Sequence, residues 1–279
     1  MTEITKEILE KYKRCLIEEE KAFATIEKYI RDITVFTEWL GERQLDKTIV
    51  LEYKEHLKSL YAPASVNSVL SSLNSFFSFN EWYHLKVRTL KIQRQIFADA
   101  YKELTKIEYK RLLEAAKKKG NEKLYLLMQT ICATGIRVSE LKFITVESIC
   151  AKRATINLKG KMRIIIIPND LCKMLLKYAE KKKIKSGSIF VSKNGKPLDR
   201  SNIWKLMKAL CESAKVAKEK VYPHNLRHLF ARTFYSIQKD VVRLADILGH
   251  SSINTTRIYT METGEIHRRQ IQKLGLLRC

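Results

Sequence analysis

Phe23-Ala24-Thr25-Ile26-Glu27-Lys28-Tyr29-Ile30-Arg31-Asp32-Ile33-Thr34-Val35-Phe36-Thr37-Glu38-Trp39-Leu40 is the stretch that decides the fold. Phe23, Ile26, Ile30, Ile33 and Leu40, joined by Tyr29 and Phe36, recur at three and four residues, which predicts one apolar face of a helix from about 23 to 40. The same period continues on both sides. Ile4, Ile8, Tyr12 and Leu16 precede it, and Ile49, Tyr53, Leu57 and Leu60 follow. Pro63 suits the first turn of a fourth helix, whose face is Val66, Val69, Leu70, Leu73, Phe76 and Phe77. Residues 1–95 therefore predict a bundle of four short amphipathic helices.

Between about 86 and 104 the periodicity lapses, and Lys86, Arg88, Lys91 and Arg94 are spread through a stretch with no core face. Residues 96–104 are expected to link two domains, the positive charges lying either against a polyanion or simply in solvent. Thr105 and Glu108 form a capping-box pattern, which opens a second domain over 105–279 with a helix. Another helix is expected from about Glu122 to Ala133, stopped at Gly135. Ala154–Leu158 and Arg163–Ile167 are rich in β-branched residues and flank Lys159-Gly160-Lys161-Met162, the pattern of a hairpin. Beyond Pro168 the pattern is helical again. The fold class is mainly α, in two domains, with one small antiparallel sheet.

The charge is uneven. Residues 1–95 hold 15 Lys and Arg against 14 Asp and Glu, leaving 38 against 16 in residues 96–279, so nearly all of the +23 formal charge falls in the second part. A surplus of that size calls for a polyanionic partner. No run of about 18 apolar residues and no signal-peptide core is present, so no membrane role and a cytoplasmic location are expected. Cys15, Cys132, Cys150, Cys172, Cys211 and Cys279 are scattered without a C-x-x-C pair, which argues against a disulfide framework or a structural zinc.

Six residues in the second half carry chemistry: Arg137, Lys159, His224, Arg227, His250 and Tyr259. Transfer of a phosphodiester passes through a five-coordinate phosphorus with extra negative charge, and preorganised guanidinium forks stabilise it at any working pH. Arg137 follows the Gly-terminated helix; the plain alternative is a surface salt bridge with Glu140. His224 and Arg227, three apart, share a helical face and can reach one phosphate together. His228 adds a His-x-x-x-His spacing that could bind zinc with His250, but Asn225 stands where a metallohydrolase needs Glu. His250 lies just past a helix end marked by Gly249. Tyr259 offers a phenol, and a phenolic phosphate ester preserves bond energy for a reversible reaction. The set needs no cofactor and no metal.

Thr134-Gly135-Ile136-Arg137-Val138-Ser139-Glu140-Leu141, His224-Asn225-Leu226-Arg227-His228, Leu248-Gly249-His250 and Tyr259 nine residues on resemble the signature of the tyrosine recombinase (phage integrase) family. The resemblance covers roughly residues 100–270 through these strings and the first 95 through helical pattern alone. It implies a core DNA-binding bundle and a catalytic domain closing on duplex DNA as a C-shaped clamp. It also implies a recombination site of specific sequence and a tetramer, of this chain alone or with a partner recombinase, on two duplexes. Tyr259 would be the nucleophile, Arg137, His224, Arg227 and His250 would hold the phosphate, and Lys159 or Lys161 on the hairpin would be the general acid. With Lys159 in that role, Lys161 and Arg163 would contact phosphate or be ordinary charged hairpin residues. A tail over about 261–279, with Ile266, Ile271, Leu274 and Leu277, would dock on a neighbouring subunit or in cis. A type IB topoisomerase shares this chemistry, and a catalytically inert DNA-binding regulator shares the surface.

Overall fold

Four helices form where the periodicity places them: α1 (Lys6–Glu18), α2 (Phe23–Leu40), α3 (Lys47–Leu60) and α4 (Pro63–Phe79). Their starts are fixed locally. Thr5 and Asp46 accept hydrogen bonds from the amides of Ile8 and Ile49, and Pro63 occupies the first turn of α4. Ile33 and Phe36 of α2, Tyr53 of α3 and Leu70, Leu73, Phe76 and Phe77 of α4 make the core, with the Phe36 ring 4.9 Å from Tyr53 and 6.3 Å from Phe77. Polar groups enter it as a pair: Asp32, buried, is held by Lys28 at 2.6 Å and by the buried Ser72 hydroxyl at 2.8 Å. Two expected core positions are corrected. Phe23 is 74% exposed because it opens α2, beyond the reach of the bundle, and Leu60 is 59% exposed because α3 buries Val50, Tyr53 and Leu57 instead.

The computed structural model describes residues 3–92, 100–158, 161–192, 194–260 and 272–274. The chain divides into two compact units, Met1–Arg94 and Gln95–Cys279. In the second, residues 100–104 are anchored rather than loose: Arg232 pairs with Glu103 and donates to the Leu104 carbonyl at 2.7 Å, and Leu104 is buried. The Thr105–Glu108 capping box opens α5 (Lys106–Lys118). Next come α6 (Glu122–Thr134), α7 (Val146–Cys150), the hairpin β1 (Arg153–Leu158) and β2 (Lys161–Ile166), and α8 (Asn169–Lys181). The remaining helices are α9 (Arg200–Lys208), α10 (Cys211–Ala214), α11 (Pro223–Gln238), α12 (Val241–Leu248) and α13 (Ile253–Thr260). α6 lies at the centre, packed on α5, α8, α9 and α11 and buried at Leu124, Leu127, Met128 and Ile131. Among the described residues no helix is long and apolar enough to cross a membrane.

The hairpin is tighter than the sequence suggests. Its register runs from Arg153 opposite Ile166 to Leu158 opposite Lys161, so Lys161 and Met162 open the second strand. Alternation then sorts the side chains: Ile165 faces the core, Met162, Ile164 and Ile166 face outward, and Arg163 falls on the core side with Ile165. Lys159, the expected general acid, and the side chain of Lys161 lie outside the described residues, as does most of the 261–279 tail.

α6 ends at Gly135, whose φ of +64° is left-handed. A Cβ there would come within 2.6 Å of Phe230 and 3.0 Å of Leu248, so α11 and α12 are seated against bare backbone. Gly135→Ala combines a disfavoured φ with a clash and is expected to destabilise the second unit by about 2 kcal/mol or more, read as a lower unfolding midpoint. Phe36→Ala is expected to destabilise the first unit by about 3–5 kcal/mol, while Phe23→Ala changes it by under about 0.5 kcal/mol in the same urea titration.

Candidate active site

Arg227 is buried, only 1% exposed. Pro223 starts α11, and the helix carries Arg227 inward one turn later. Its guanidinium donates to the carbonyls of Gly135 at 2.5 Å and Leu248 at 2.8 Å, the C-terminal ends of α6 and α12. It also bonds His250 Nε2 at 2.9 Å, and its own Nε has no partner. Among the described residues no carboxylate pairs with it. Burial, then the charge of Arg137, pushes its pKa down to about 10. The Tyr259 hydroxyl also hydrogen-bonds this guanidinium, so a buried cation is held by carbonyls, an imidazole and a phenol, an environment suited to an anion.

Arg137 and Glu140 reconcile both sequence readings of that arginine. Arg137 precedes a 3₁₀ turn, Val138–Phe143, and its amide donates to Glu140 Oε2 at 2.8 Å while its Nη1 donates to Oε1 at 3.0 Å. The same side chain, still 39% exposed, lines a cavity of about 360 Å³ together with Ser139, His224 and Arg227. Glu140 is buried, which alone would raise its pKa, yet the Arg137 amide and the Arg163 and Arg137 guanidinium groups hold it below the usual carboxylate range.

Tyr259 is 4% exposed and sits on α13 among three imidazoles. Its ring lies edge-on to His228 at 4.5 Å, stacked on His250 at 5.7 Å and 6.3 Å from His224. Gly249, left-handed at the end of α12, turns the chain so that His250 faces Arg227. Because Arg227 can only donate, His250 Nε2 accepts, and Nδ1 carries the proton toward the Thr256 hydroxyl at 2.8 Å. The sequence expectation of a phosphate donor at His250 therefore requires a proton at Nε2 once an anion competes for Arg227.

Sequence reasoning missed three contributors. Arg200 and Trp204, i and i+4 on α9, line the same cavity, and only the excess of basic residues hinted at them. Thr256, fully buried, hydrogen-bonds His250 Nδ1 and orients the ring. Arg163, expected to touch phosphate or solvent, turns inward instead: its side chain is 13% exposed and engages Glu140 at 2.5 Å and the Ile247 carbonyl at 2.8 Å. The reason is strand parity. The zinc spacing also finds a different use: Asn225 is buried and donates to the carbonyls of Lys102 and Lys220, while His228 packs on Tyr259.

All three histidines are disfavoured as cations. Burial first and Arg227, Arg137 and Arg163 next push His250 down to about 4; burial, His224 and Arg232 do the same to His228. His224 is lowered by desolvation, then by Arg227, Arg200 and Arg137. With folded values below the unfolded 6.5, the unfolded chain takes up protons first as pH falls. Their contribution is complete above pH 6.5 and is lost as pH drops toward 4. The urea midpoint of the second unit is expected to decline across that window and His228→Gln to make the decline shallower; an identical slope in the variant contradicts a neutral buried imidazole.

Residues 102–265 match the phage integrase family, and residues 9–84 match the N-terminal SAM-like domain of phage integrases. The chain is 30% identical to the tyrosine recombinase XerA of Pyrococcus furiosus, over 97% of this chain and 95% of that one. It is 31% identical to the tyrosine recombinase XerH of Campylobacter jejuni, over 78% of this chain and 68% of that one. Among solved structures, XerH bound to palindromic difH substrate in a post-cleavage complex is similar with a TM-score of 0.74 and 21% identity, covering 94% of this chain and 83% of that one. That likeness bears on the fold alone. The chain belongs to the phage integrase family, the tyrosine recombinases.

Proposed function

We propose that the protein is a site-specific DNA recombinase that cuts and rejoins strands through a 3′-phosphotyrosine. The observation that carries this reading is the joint placement of Tyr259 among His224, His228 and His250 and of a buried Arg227 that has no acidic partner among the described residues. The scissile phosphate would displace water from the cavity and take the hydrogen bonds that Arg137 and Arg227 can form. Tyr259 Oη passes its proton to a neighbouring neutral imidazole and forms the new bond to phosphorus, the bond from phosphorus to O5′ breaks, and the departing oxygen takes a proton from the hairpin lysine, Lys159. His224 and His250 complete the clamp around the non-bridging oxygens. Among the described residues, Arg137, Arg163, Arg200 and Arg227 of the pocket region face one buried carboxylate, Glu140, so an anionic transition state gains charge compensation that is already in place. The proposed reaction draws on side chains alone, without metal or ATP.

The rest of the assignment follows from that chemistry. The phosphotyrosine is attacked by the 5′ hydroxyl of a second duplex, which gives a four-way junction and requires several protomers on two DNA sites. XerH and lambda integrase have been solved with DNA, the latter as a tetramer on a Holliday junction. The first unit is proposed to bind the core site, the 261–279 tail to join protomers, and the chain to work in the cytoplasm, where the chromosome lies.

A duplex selected by the protein from a random-sequence pool, then nicked beside the cleavage point, traps the intermediate. Wild type is expected to form a covalent adduct and Tyr259→Phe none, with Arg137→Ala and Arg227→Ala slower by about 10²–10³-fold. Adduct from Tyr259→Phe, or its absence from wild type, contradicts the assignment. Two intact sites are expected to yield a junction; relaxation of supercoils with no joined product would point to religation of a single strand.

A further inference from the structure

Arg163 was expected to meet phosphate, and its surroundings give it another task. It leaves β2 on the core side, opposite Ile156, and crosses beneath the turn that carries His250. A Cβ on Gly249 would lie 2.4 Å from Arg163 Cδ, so the glycine before His250 leaves room for this stem as well as supplying a left-handed φ of +64°. At the far end the guanidinium forks: Nη1 donates to the Ile247 carbonyl at 2.8 Å, and Nη2 donates to Glu140 Oε2 at 2.5 Å. Glu140 in turn receives Arg137, whose Nη2 also approaches the Gly249 carbonyl at 3.4 Å. The three elements that present Arg137, His250 and the hairpin thus meet on one planar group.

We propose that Arg163 is a positioning residue for strand cleavage, setting the Arg137 side chain and the His250 turn at a fixed separation so that both engage one phosphate. The proposal rests on the recombinase reading above. A lysine cannot replace the fork, because a single ammonium meets Glu140 or the Ile247 carbonyl but does not span both with fixed geometry. Arg163 touches neither the phosphate nor the nucleophile; it acts through Glu140 and through the backbone at Ile247–Gly249.

The test is single-turnover adduct formation on the nicked duplex at saturating DNA, with binding affinity and thermal unfolding measured on the same samples. Arg163→Met, which keeps the stem over Gly249, is expected to slow adduct formation by about 100-fold with cooperative unfolding and DNA affinity within about threefold of wild type. Arg163→Lys, which retains a charge beside Glu140 and guards against misfolding of the first variant, is expected to be slower than wild type by about tenfold. In an Arg137→Ala background Arg163→Met should add less than about threefold, since both act on the same clamp. A substrate with sulfur in place of the bridging 5′ oxygen, whose leaving group needs no proton, should leave the Arg163→Met defect in place. Wild-type rates in both variants, full additivity with Arg137→Ala, or recovery on the sulfur substrate each overturn the proposal while leaving the recombinase reading intact. A wild-type protein that forms no adduct removes that reading and this proposal together.

Discussion

The second unit depends on one charge placed where water cannot reach it. Arg227 joins the carbonyl ends of α6 and α12 from its place on α11, so the three helices that surround the site converge on a single guanidinium. Carbonyl oxygens at helix C-termini carry partial negative charge, which makes them suitable though incomplete partners for a cation. The proposed role uses that incompleteness, since full neutralisation by a carboxylate would leave nothing for a phosphate to supply. Burial first, and this charge after it, lowers the pKa of the nearby imidazoles.

Around that charge the chain builds a graded arrangement. Glu140 bridges Arg137 and Arg163 and keeps two cations close without mutual repulsion dominating. Thr256 orients the His250 ring, and His228 and His250 fix the Tyr259 ring from edge and face. A phenol that is packed in this way has few orientations to lose on reaching a reactive geometry, which is how positioning contributes to rate.

Much of this was legible in the sequence because it is local. The three-and-four spacing of Ile26, Ile33, Phe36 and Leu40 fixes a helix, Gly135 fixes its successor's end in the second unit, and His224 and Arg227 share a face by count alone. What was not legible is tertiary. Nothing near Arg163 reveals that Glu140, 23 residues earlier, waits for it; alternation along β2 puts Arg163 on the buried face with Ile165, and tertiary packing supplies its partner. Arg200 and Trp204 join the cavity through the packing of α9 against α6 and α11. Phe23 and Leu60 fit their stripes yet lie at helix ends, where the period persists after the neighbouring helix has stopped.

The most direct measurement is peptide mapping of the trapped adduct by tandem mass spectrometry. After nuclease digestion a nucleotide 3′-phosphate should remain on the peptide that contains Tyr259, esterified to its phenolic oxygen. A nucleotide carried by any other side chain, or a trapped protein with an unmodified Tyr259, would contradict the account.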